Sequence, residues 1–498
     1  MTFLIGGANS LTAGYDIDNS LRFNAAGEDY LVDTSLGTAT STKIGTVSVW
    51  CKLSGYSIGG ANTDGSTIIG NKAGDNDYLF FRHKDYQDTG QLLVYGKLSD
   101  SVNINLLTTA VFRDPTAWYH FVLAYDTTQG TAANRMKLYV NGTQITAFDT
   151  ATYPAEDAVI RFNGEDLLNI GRRVSNNSTG YNYFSGYMAD FNFVDGLQLT
   201  PSNFGETDSD SGIWKPKKPN VSEYGTNGFF LEFKGTGTSQ NASGMGADTS
   251  GKGNHLAIGN LAADSVVQDT PTNNFCTLNN IGPGLTTSSA SVANESLSEG
   301  NTGLTGYDGS STVASTMAVT SGKWYVEYKL VDVQNAQMGI CGGINRTDDY
   351  LGNSAHAYGY ITSNSTEGDT GIYNNNSLID IFRDGNQTDG QIHMLAFDLD
   401  NNKLWIGQNG TWKNSSDPTD SSGGGGQAIT AATSTGAGDY TVGFRNGSAD
   451  AATSFINFGC PAYANASSQS DANGYGDFEF APPSGYYALC TKNLAEYG

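Results

Sequence analysis

Paired carboxylates on one strand are the simplest catalytic arrangement for a chain with β-rich sequence patterns. Because side chains alternate along a strand, Glu-x-Asp-x-Glu spacing puts two acids on one face, about 5 Å apart, as retaining glycoside hydrolysis requires. The chain has no such run. Its nearest acid pairs are adjacent residues that point to opposite faces or lie in turns: Glu156-Asp157, Glu165-Asp166 and Asp348-Asp349. We predict that the protein is not an enzyme, with a polysaccharide-degrading glycoside hydrolase as the less favoured alternative.

Histidine and cysteine show no catalytic pattern either. The five histidines lack metalloprotease spacing, and His120 and His393 alternate with apolar residues on predicted strands, which indicates packed side chains. The five cysteines are far apart and odd in number. This arrangement predicts buried free thiols and folding in a reducing cytoplasm, rather than a disulfide framework.

Charge and hydropathy exclude two classes of partner. The chain has 26 basic and 50 acidic residues, with a formal net charge of -24. Phosphate contacts need clustered Lys and Arg, so nucleic acid is not an expected partner. No apolar run approaches the roughly 18 residues of a membrane-spanning helix, and the first residues do not resemble a signal peptide. We therefore expect no membrane insertion.

The polar, aromatic segment 176–183 is a candidate ligand-binding loop. It mixes amide groups with flat aromatic faces, which stack on the C–H surfaces of sugars while the amides bond hydroxyl groups. The same residue types also fill ordinary exposed loops, and that alternative stays open. The candidate ligand contacts in this loop are Asn176, Tyr181 and Tyr183.

Two alternating runs, 117–126 and 136–145, predict the β-hairpin of a two-sheet domain upstream of this loop. Asn141-Gly142 suits a two-residue turn that needs positive φ at both positions. The pattern resembles the hairpin of laminin G-like, concanavalin A-like jelly rolls. The matching residues are Trp118, Tyr119, His120, Asp126, Tyr139, Asn141 and Gly142. The resemblance implies a domain that binds glycans or proteins more often than it cuts them.

A second set of alternating runs lies downstream. The runs 321–328, 338–340, 393–410 and 455–459 together resemble a SPRY domain, which is itself a two-sheet sandwich. SPRY domains typically recognise partners through loops at one end of the sandwich. The corresponding candidate ligand contacts are Arg346, Asp348, Asp349, Tyr350, His356 and Tyr358. Trp324 and Trp405 have strand settings that predict core positions.

The predicted fold class is all-β, with two tandem concanavalin A-like and SPRY-like β-sandwiches joined by an irregular bridge. The predicted domains are a laminin G-like jelly roll at 1–208, a bridge at 209–288 and a SPRY-like sandwich at 289–498. Within the bridge, the apolar run 228–233 is expected to add a strand to the first sandwich.

The laminin G-like resemblance also implies one possible cofactor, a Ca²⁺ ion held between the opening and closing strands. Its candidate ligands are Asn24, Gly27, Glu28 and Asp190. Calcium takes six to eight oxygen atoms, several of which backbone carbonyls can supply. The alternative is that Asp190 accepts hydrogen bonds from a neighbouring backbone turn.

Four further sequence segments resemble segments of tailed-bacteriophage virion proteins. They are 111–120, 199–205, 269–275 and 485–494. The resemblance implies a structural protein of a tail or capsid fibre, or a decoration protein, made in the host bacterial cytoplasm and displayed on the virion surface. The implied partners are other virion proteins and a host-surface glycan or protein, and a homo-oligomer is expected, a trimer first. A purely structural decoration protein without receptor binding is the alternative.

Overall fold

The structure is a computed structural model. It describes residues 14–34, 36–54, 65–72, 77–84, 90–98, 100–163, 167–174, 180–279, 296–306, 312–331, 336–343, 351–362, 370–382, 388–420, 424–433, 436–445 and 452–498. These residues divide into two compact units, Ser10–Thr272 and Asn273–Gly498. Both units are built from packed β-sheets, which confirms the predicted all-β fold class.

The first unit contains twenty described strands. In chain order they are β1 (Ser20–Phe23), β2 (Tyr30–Asp33), β3 (Ile44–Leu53), β4 (Ser66–Lys72), β5 (Tyr78–Lys84), β6 (Gln91–Leu98), β7 (Ser101–Val111), β8 (Trp118–Asp126), β9 (Met136–Val140), β10 (Thr143–Ile145), β11 (Phe148–Thr152), β12 (Leu168–Ile170), β13 (Arg173–Val174), β14 (Gly180–Tyr181), β15 (Gly186–Asp195), β16 (Gly205–Thr207), β17 (Trp214–Pro216), β18 (Phe229–Leu231), β19 (Ala257–Gly259) and β20 (Val266–Val267). One short helix, α1 (Ala132–Arg135), precedes β9. Short 3-10 turns lie at Arg161–Asn163, Pro201–Asn203 and Ala263–Ser265.

Two large sheets make the first sandwich, as far as the described strands show. The first sheet has the order β10-β9-β8-β3-β15-β1-β20, and β18 also pairs with β15. The second sheet has the order β11-β7-β6-β5-β4-β12-β2-β19. Alternate residues of the long strands fill the core between the sheets. Examples are Val47 and Phe121 from the first sheet and Phe81 and Val94 from the second, all fully buried.

The β9–β10 hairpin has the predicted turn. Asn141 has a φ of 47° and Gly142 a φ of 80°. Two positive φ values in a two-residue loop match the right-handed twist of the flanking strands. The Asn141 side chain also accepts a hydrogen bond from the His120 backbone N–H at 2.8 Å, which ties the turn to β8.

The segment that follows β15 belongs to the first unit as far as Thr272. Phe229–Leu231 pairs antiparallel with Phe191–Phe193 of β15, so this segment adds a strand to the first sandwich. The division between the units therefore falls inside the range 209–288, because the chain passes into the second unit at Asn273.

The second unit contains fifteen described strands. They are β21 (Ser296–Ser298), β22 (Gly303–Gly306), β23 (Val313–Val319), β24 (Lys323–Lys329), β25 (Gln337–Gly342), β26 (Ala357–Ile361), β27 (Gly371–Asn374), β28 (Ser377–Ile381), β29 (Ile392–Asp398), β30 (Lys403–Gln408), β31 (Thr411–Trp412), β32 (Gln427–Ala428), β33 (Tyr440–Arg445), β34 (Ala452–Asn457) and β35 (Tyr487–Ala488). Short 3-10 turns lie at Glu299–Asn301 and Lys413–Ser415, and the helix α2 (Thr491–Tyr497) ends the chain.

Two sheets again face each other in this unit. The described strands have the orders β21-β22-β34-β24-β29-β30-β31, with β32 and β35 paired at β30 and β24, and β23-β33-β25-β26-β27-β28. The predicted core positions of Trp324 and Trp405 are confirmed, since the two side chains are 0% and 3% exposed.

The predicted burial of His120, His393 and the five cysteines is also confirmed. His120 and His393 are fully buried, and burial lowers the pKa of each to about 3. All five cysteines are buried free thiols. In the described part of the chain, no helix is long and apolar enough to cross a membrane.

Candidate functional site

The face of the second sheet that points away from the core has an unusual side-chain content. On β5, Leu79 and Phe81 enter the core, so alternation places Tyr78 and Phe80 on the opposite face. On β6, Tyr95 lies directly across from Phe80. Aromatic side chains therefore occupy neighbouring positions on an outer sheet face, where polar residues are the usual choice.

The β13–β14 hairpin folds over this face and adds a cation. The guanidinium of Arg173 lies 4.5 Å from the ring centroid of Tyr78, 4.9 Å from that of Phe80 and 4.8 Å from that of Tyr181. Arg173 and Tyr181 are themselves paired across the hairpin. We call Tyr78, Phe80, Tyr95, Arg173 and Tyr181 the arginine–aromatic cluster.

The rings of the cluster are nearly parallel. Phe80 and Tyr95 have centroids 5.6 Å apart with a 22° interplanar angle, and Tyr78 lies 6.0 Å from Phe80 at 11°. Phe80 is 2% exposed, whereas Tyr78, Tyr95, Arg173 and Tyr181 are half-buried. The cluster thus has a buried ring at its base and accessible tyrosine and arginine groups around it.

A second cation–aromatic contact supports the hairpin from its other side. The Arg172 guanidinium lies 3.2 Å from the Tyr30 ring centroid, and its Nε donates a hydrogen bond to Asn169 Oδ1 at 2.9 Å. Arg172 also hydrogen-bonds the hydroxyl group of Tyr183. Because neighbouring arginines stack on rings of different strands, the hairpin is fixed against the sheet at two places.

Several polar atoms beside the cluster are buried and have no hydrogen-bond partner in the part of the chain that the structure describes. They are Nε of Arg173, Oδ1 of Asn182 and Oγ1 of Thr67. Most buried polar groups in proteins are hydrogen-bonded, and groups that are not often face water or a ligand. Asn105, half-buried and directly opposite Tyr95 on β7, adds an amide to the same face.

The structure describes two of the three residues predicted for this region, and they have different environments. Tyr181 is a member of the cluster. Tyr183 is 5% exposed, so its ring supports the hairpin and does not present a ligand-binding face. Asn176 lies outside the described residues. Sequence reasoning missed Tyr78, Phe80, Tyr95 and Arg173, although the aromatic residues at alternate positions of β5 were a usable signal.

Of the six candidates in the second unit, the structure describes Tyr358 and His356. Tyr358 is 5% exposed and belongs to the core, where its hydroxyl accepts a hydrogen bond from the Thr430 backbone N–H at 2.9 Å. The prediction that Tyr358 contacts a ligand is therefore not supported, because its position on β26 points inward. His356 is half-buried, and its Nδ1 has no hydrogen-bond partner among the residues that the structure describes. The other four candidates, Arg346, Asp348, Asp349 and Tyr350, lie outside the described residues.

The predicted calcium ligands do not converge. Asn24, Gly27 and Glu28 form the turn after β1, and Phe23 at the end of β1 pairs with Gly186. Asp190 lies four residues further along β15, about 13 Å away at 3.3 Å per residue. Among the described residues, no group of three or more His, Cys, Asp or Glu side chains could hold a metal ion. The residues present therefore do not fit the calcium site that the resemblance implies.

The turn and Asp190 have other hydrogen-bond partners. The Asn24 carbonyl accepts from the backbone N–H groups of Gly27 and Asp29, and the Asn24 side chain accepts from Ala26 N–H. Asp190 sits at a bulge of β15 with a φ of 46° and accepts a hydrogen bond from the Tyr15 hydroxyl. Burial raises the pKa of Asp190 to about 7.

The outer face of the first sheet also carries aromatic residues, but their polar atoms bond one another. Trp214 donates from Nε1 to Nδ1 of His120 at 3.0 Å, and Nε2 of His120 lies 2.9 Å from Ser48 Oγ. Since Nδ1 accepts, the neutral ring carries its proton on Nε2 and donates it to Ser48. Lys52 and Asp269, both almost fully buried, form an ion pair at 2.8 Å. This network is complete, so we assign this face a structural role.

Comparison with known proteins matches the first unit to a family. Residues 24–202 match the family model described as "Concanavalin A-like lectin/glucanases superfamily". The predicted laminin G-like, concanavalin A-like jelly roll is confirmed for these residues. No curated protein matches the chain.

Several solved structures are similar to the chain at low identity. The SPRY domain of human HERC1 is 14% identical, with 31% of this chain and 87% of that chain covered and a TM-score of 0.24. A heptameric SAP-like pentraxin from Limulus polyphemus is 16% identical, with 38% and 80% covered and a TM-score of 0.27. Domain 4 of AbnA, an extracellular arabinanase from Geobacillus stearothermophilus solved with arabinotriose, is 15% identical, with 32% and 64% covered and a TM-score of 0.22.

Proposed function

We propose that the protein is a non-enzymatic glycan-binding protein and that the arginine–aromatic cluster of the first sandwich is its ligand-binding face. One observation carries the proposal: two half-buried tyrosines, Tyr78 and Tyr181, flank the half-buried Arg173 on an outer sheet face, and a third, Tyr95, stacks beside them. The lectin-like fold matched by residues 24–202 supports a binding function.

The chemistry of the cluster suits sugars. Flat rings offer apolar area to the C–H faces of a pyranose at little entropy cost, while tyrosine hydroxyls, the Asn105 amide and the Arg173 edge bond hydroxyl groups. Two cation–aromatic contacts hold the hairpin before a ligand arrives. A pre-formed site loses less entropy on binding than a flexible loop does.

We further propose that the chain serves on the surface of a tailed-phage particle, as a fibre or decoration protein that contacts other virion proteins and recognises a host-surface glycan. The four sequence segments that resemble tailed-phage virion proteins support this role. An oligomer, a trimer first, suits it because linked weak sites raise avidity by roughly 10² to 10⁴. Synthesis in the host cytoplasm fits the five buried free thiols.

The test uses the full chain and a panel of immobilised bacterial surface polysaccharides. Tyr78→Ala combined with Tyr95→Ala removes two accessible rings, and we expect binding to weaken roughly tenfold or more. Tyr153→Ala is the matched control, because Tyr153 is also half-buried but contacts Phe148 on β11 outside the cluster. Circular dichroism of each variant checks the fold.

Two results would overturn the proposal. Unchanged binding by the double variant would remove the cluster from the site, and no binding to any polysaccharide would favour a purely structural decoration protein. A parallel assay for released reducing ends addresses the hydrolase alternative, and sustained release by wild-type protein would contradict the non-enzymatic assignment.

A further inference from the structure

The two arginines of the β13–β14 hairpin stand out in a strongly acidic chain. The formal net charge is -24, yet Arg172 and Arg173 are adjacent and take part in no ion pair with a described carboxylate. Arg82 also lies over the Phe80 ring but is only 7% exposed, and two other cations nearby are paired with carboxylates. Lys97 pairs with Asp100 at 3.2 Å, and Arg161 pairs with Asp77 at 3.2 Å.

The surroundings of Arg173 fix its position without offsetting its charge. Three rings lie 4.5–4.9 Å from its guanidinium, and aromatic faces attract a cation without accepting its in-plane N–H bonds. Its Nε is enclosed and has no acceptor among the described residues, and the side chain as a whole is half-buried. The terminal N–H groups of a planar guanidinium form a donor pair that matches the two oxygens of a carboxylate.

We infer that the glycan bound at the arginine–aromatic cluster is acidic, with uronic or sialic acid units whose carboxylate binds Arg173. This inference rests on the proposed function and specifies the ligand class of the same site. Stacking of the sugar ring on Tyr78 or Tyr95 and pairing of its carboxylate with Arg173 use neighbouring groups of one face. A chain of this net charge repels polyanions elsewhere, so a local cation has a selective effect.

The direct test changes the ligand and leaves the protein intact. Polygalacturonate, alginate, hyaluronate and polysialic acid are each compared with the same polymer after reduction of its carboxyl groups to primary alcohols, alongside dextran and dextran sulfate. We expect at least one acidic polymer to bind the full chain, and its reduced form to bind roughly tenfold more weakly or worse. Equal binding of acidic and reduced forms, or binding confined to dextran or to dextran sulfate, would overturn the acidic-sugar inference while leaving glycan binding in place. Binding of no polymer in the panel would count against both proposals.

Variants of the protein then test whether Arg173 is the cation that binds the carboxylate. Arg173→Gln removes it, and we expect loss for the acidic polymer with a much smaller change for the reduced polymer. Lys218→Gln, at an exposed position, removes one positive charge without touching the cluster and is the matched control. If the two variants weaken binding equally, the effect is general electrostatics and Arg173 is not the carboxylate partner. Arg173→Lys retains the charge but not the planar donor pair, so partial binding is expected.

Discussion

The guanidinium of Arg173 lies 4.8 Å from the ring centroid of Tyr181, the residue that faces it across a two-strand hairpin. The same guanidinium also reaches Tyr78 and Phe80 on the large sheet beneath. One side chain thus connects a short hairpin to the aromatic residues of β5. Because this contact holds the hairpin beside the rings, the hairpin borders the aromatic face on one side.

The coupling between Arg173 and Tyr181 is measurable as a free energy. We expect Arg173→Ala and Tyr181→Ala to be non-additive in the free energy of unfolding, with a coupling of about 0.5–1 kcal/mol, the usual range for a partly exposed cation–aromatic pair. Urea unfolding of wild type, both single variants and the double variant gives the value. The cycle of Arg173→Ala with Tyr153→Ala is the control and should be additive. Additive effects in both cycles would show that the contact contributes nothing to stability.

Only part of this arrangement was predictable from the sequence. The Asn141-Gly142 turn, the alternating strands and the buried His120 depend on neighbouring residues or on residue periodicity, which a sequence displays directly. The arginine–aromatic cluster depends on a non-local event, the folding of β13–β14 over β4 and β5. Tyr181 and Tyr183 illustrate the difference. Their two-residue spacing predicts that both side chains lie on the same face of one strand. The backbone leaves the strand at Asn182, with a φ of 55°, and Tyr183 becomes buried.

Asp190 should make the first unit less stable as pH rises through the weakly acidic range. Its folded pKa of about 7 is above its ordinary value, because burial disfavours the carboxylate. Between roughly pH 4 and pH 7 the unfolded chain loses this proton and the folded chain keeps it, so the free energy of unfolding falls with pH. Asp190→Asn removes this contribution. The difference in unfolding free energy between wild type and the variant should therefore change across that window and be flat above and below it. A difference independent of pH would contradict the raised pKa.

Glu327 is a second buried carboxylate. In the second unit it anchors the segment that contains Glu479 and Phe480 through hydrogen bonds. Its two oxygens accept hydrogen bonds from the Tyr325 hydroxyl, the Asn457 amide and the backbone N–H groups of Glu479 and Phe480 at 2.8–3.2 Å. Glu327→Gln places an amide N–H₂ among these donors, so we expect a loss of roughly 1–3 kcal/mol in chemical denaturation.

Glu327→Ala should cost more, because all four donors lose their acceptor. Glu479→Gln is the control for a nearby carboxylate that accepts only from exposed backbone groups, at Ala466 and Ser467, and it should be close to neutral. If Glu327→Gln is as stable as wild type, the four hydrogen bonds do not anchor the segment.

The proposed binding face can be located by hydrogen–deuterium exchange of the full chain, measured with and without saturating amounts of the polysaccharide that binds most tightly in the panel. We expect slower exchange confined to β5, β6 and the β13–β14 hairpin, since the glycan covers the arginine–aromatic cluster and restrains the hairpin. Tyr78→Ala combined with Tyr95→Ala should abolish this protection at the same polysaccharide concentration. Protection located in the second unit or on the first sheet, with none at β5, β6, β13 or β14, would contradict the proposed binding face.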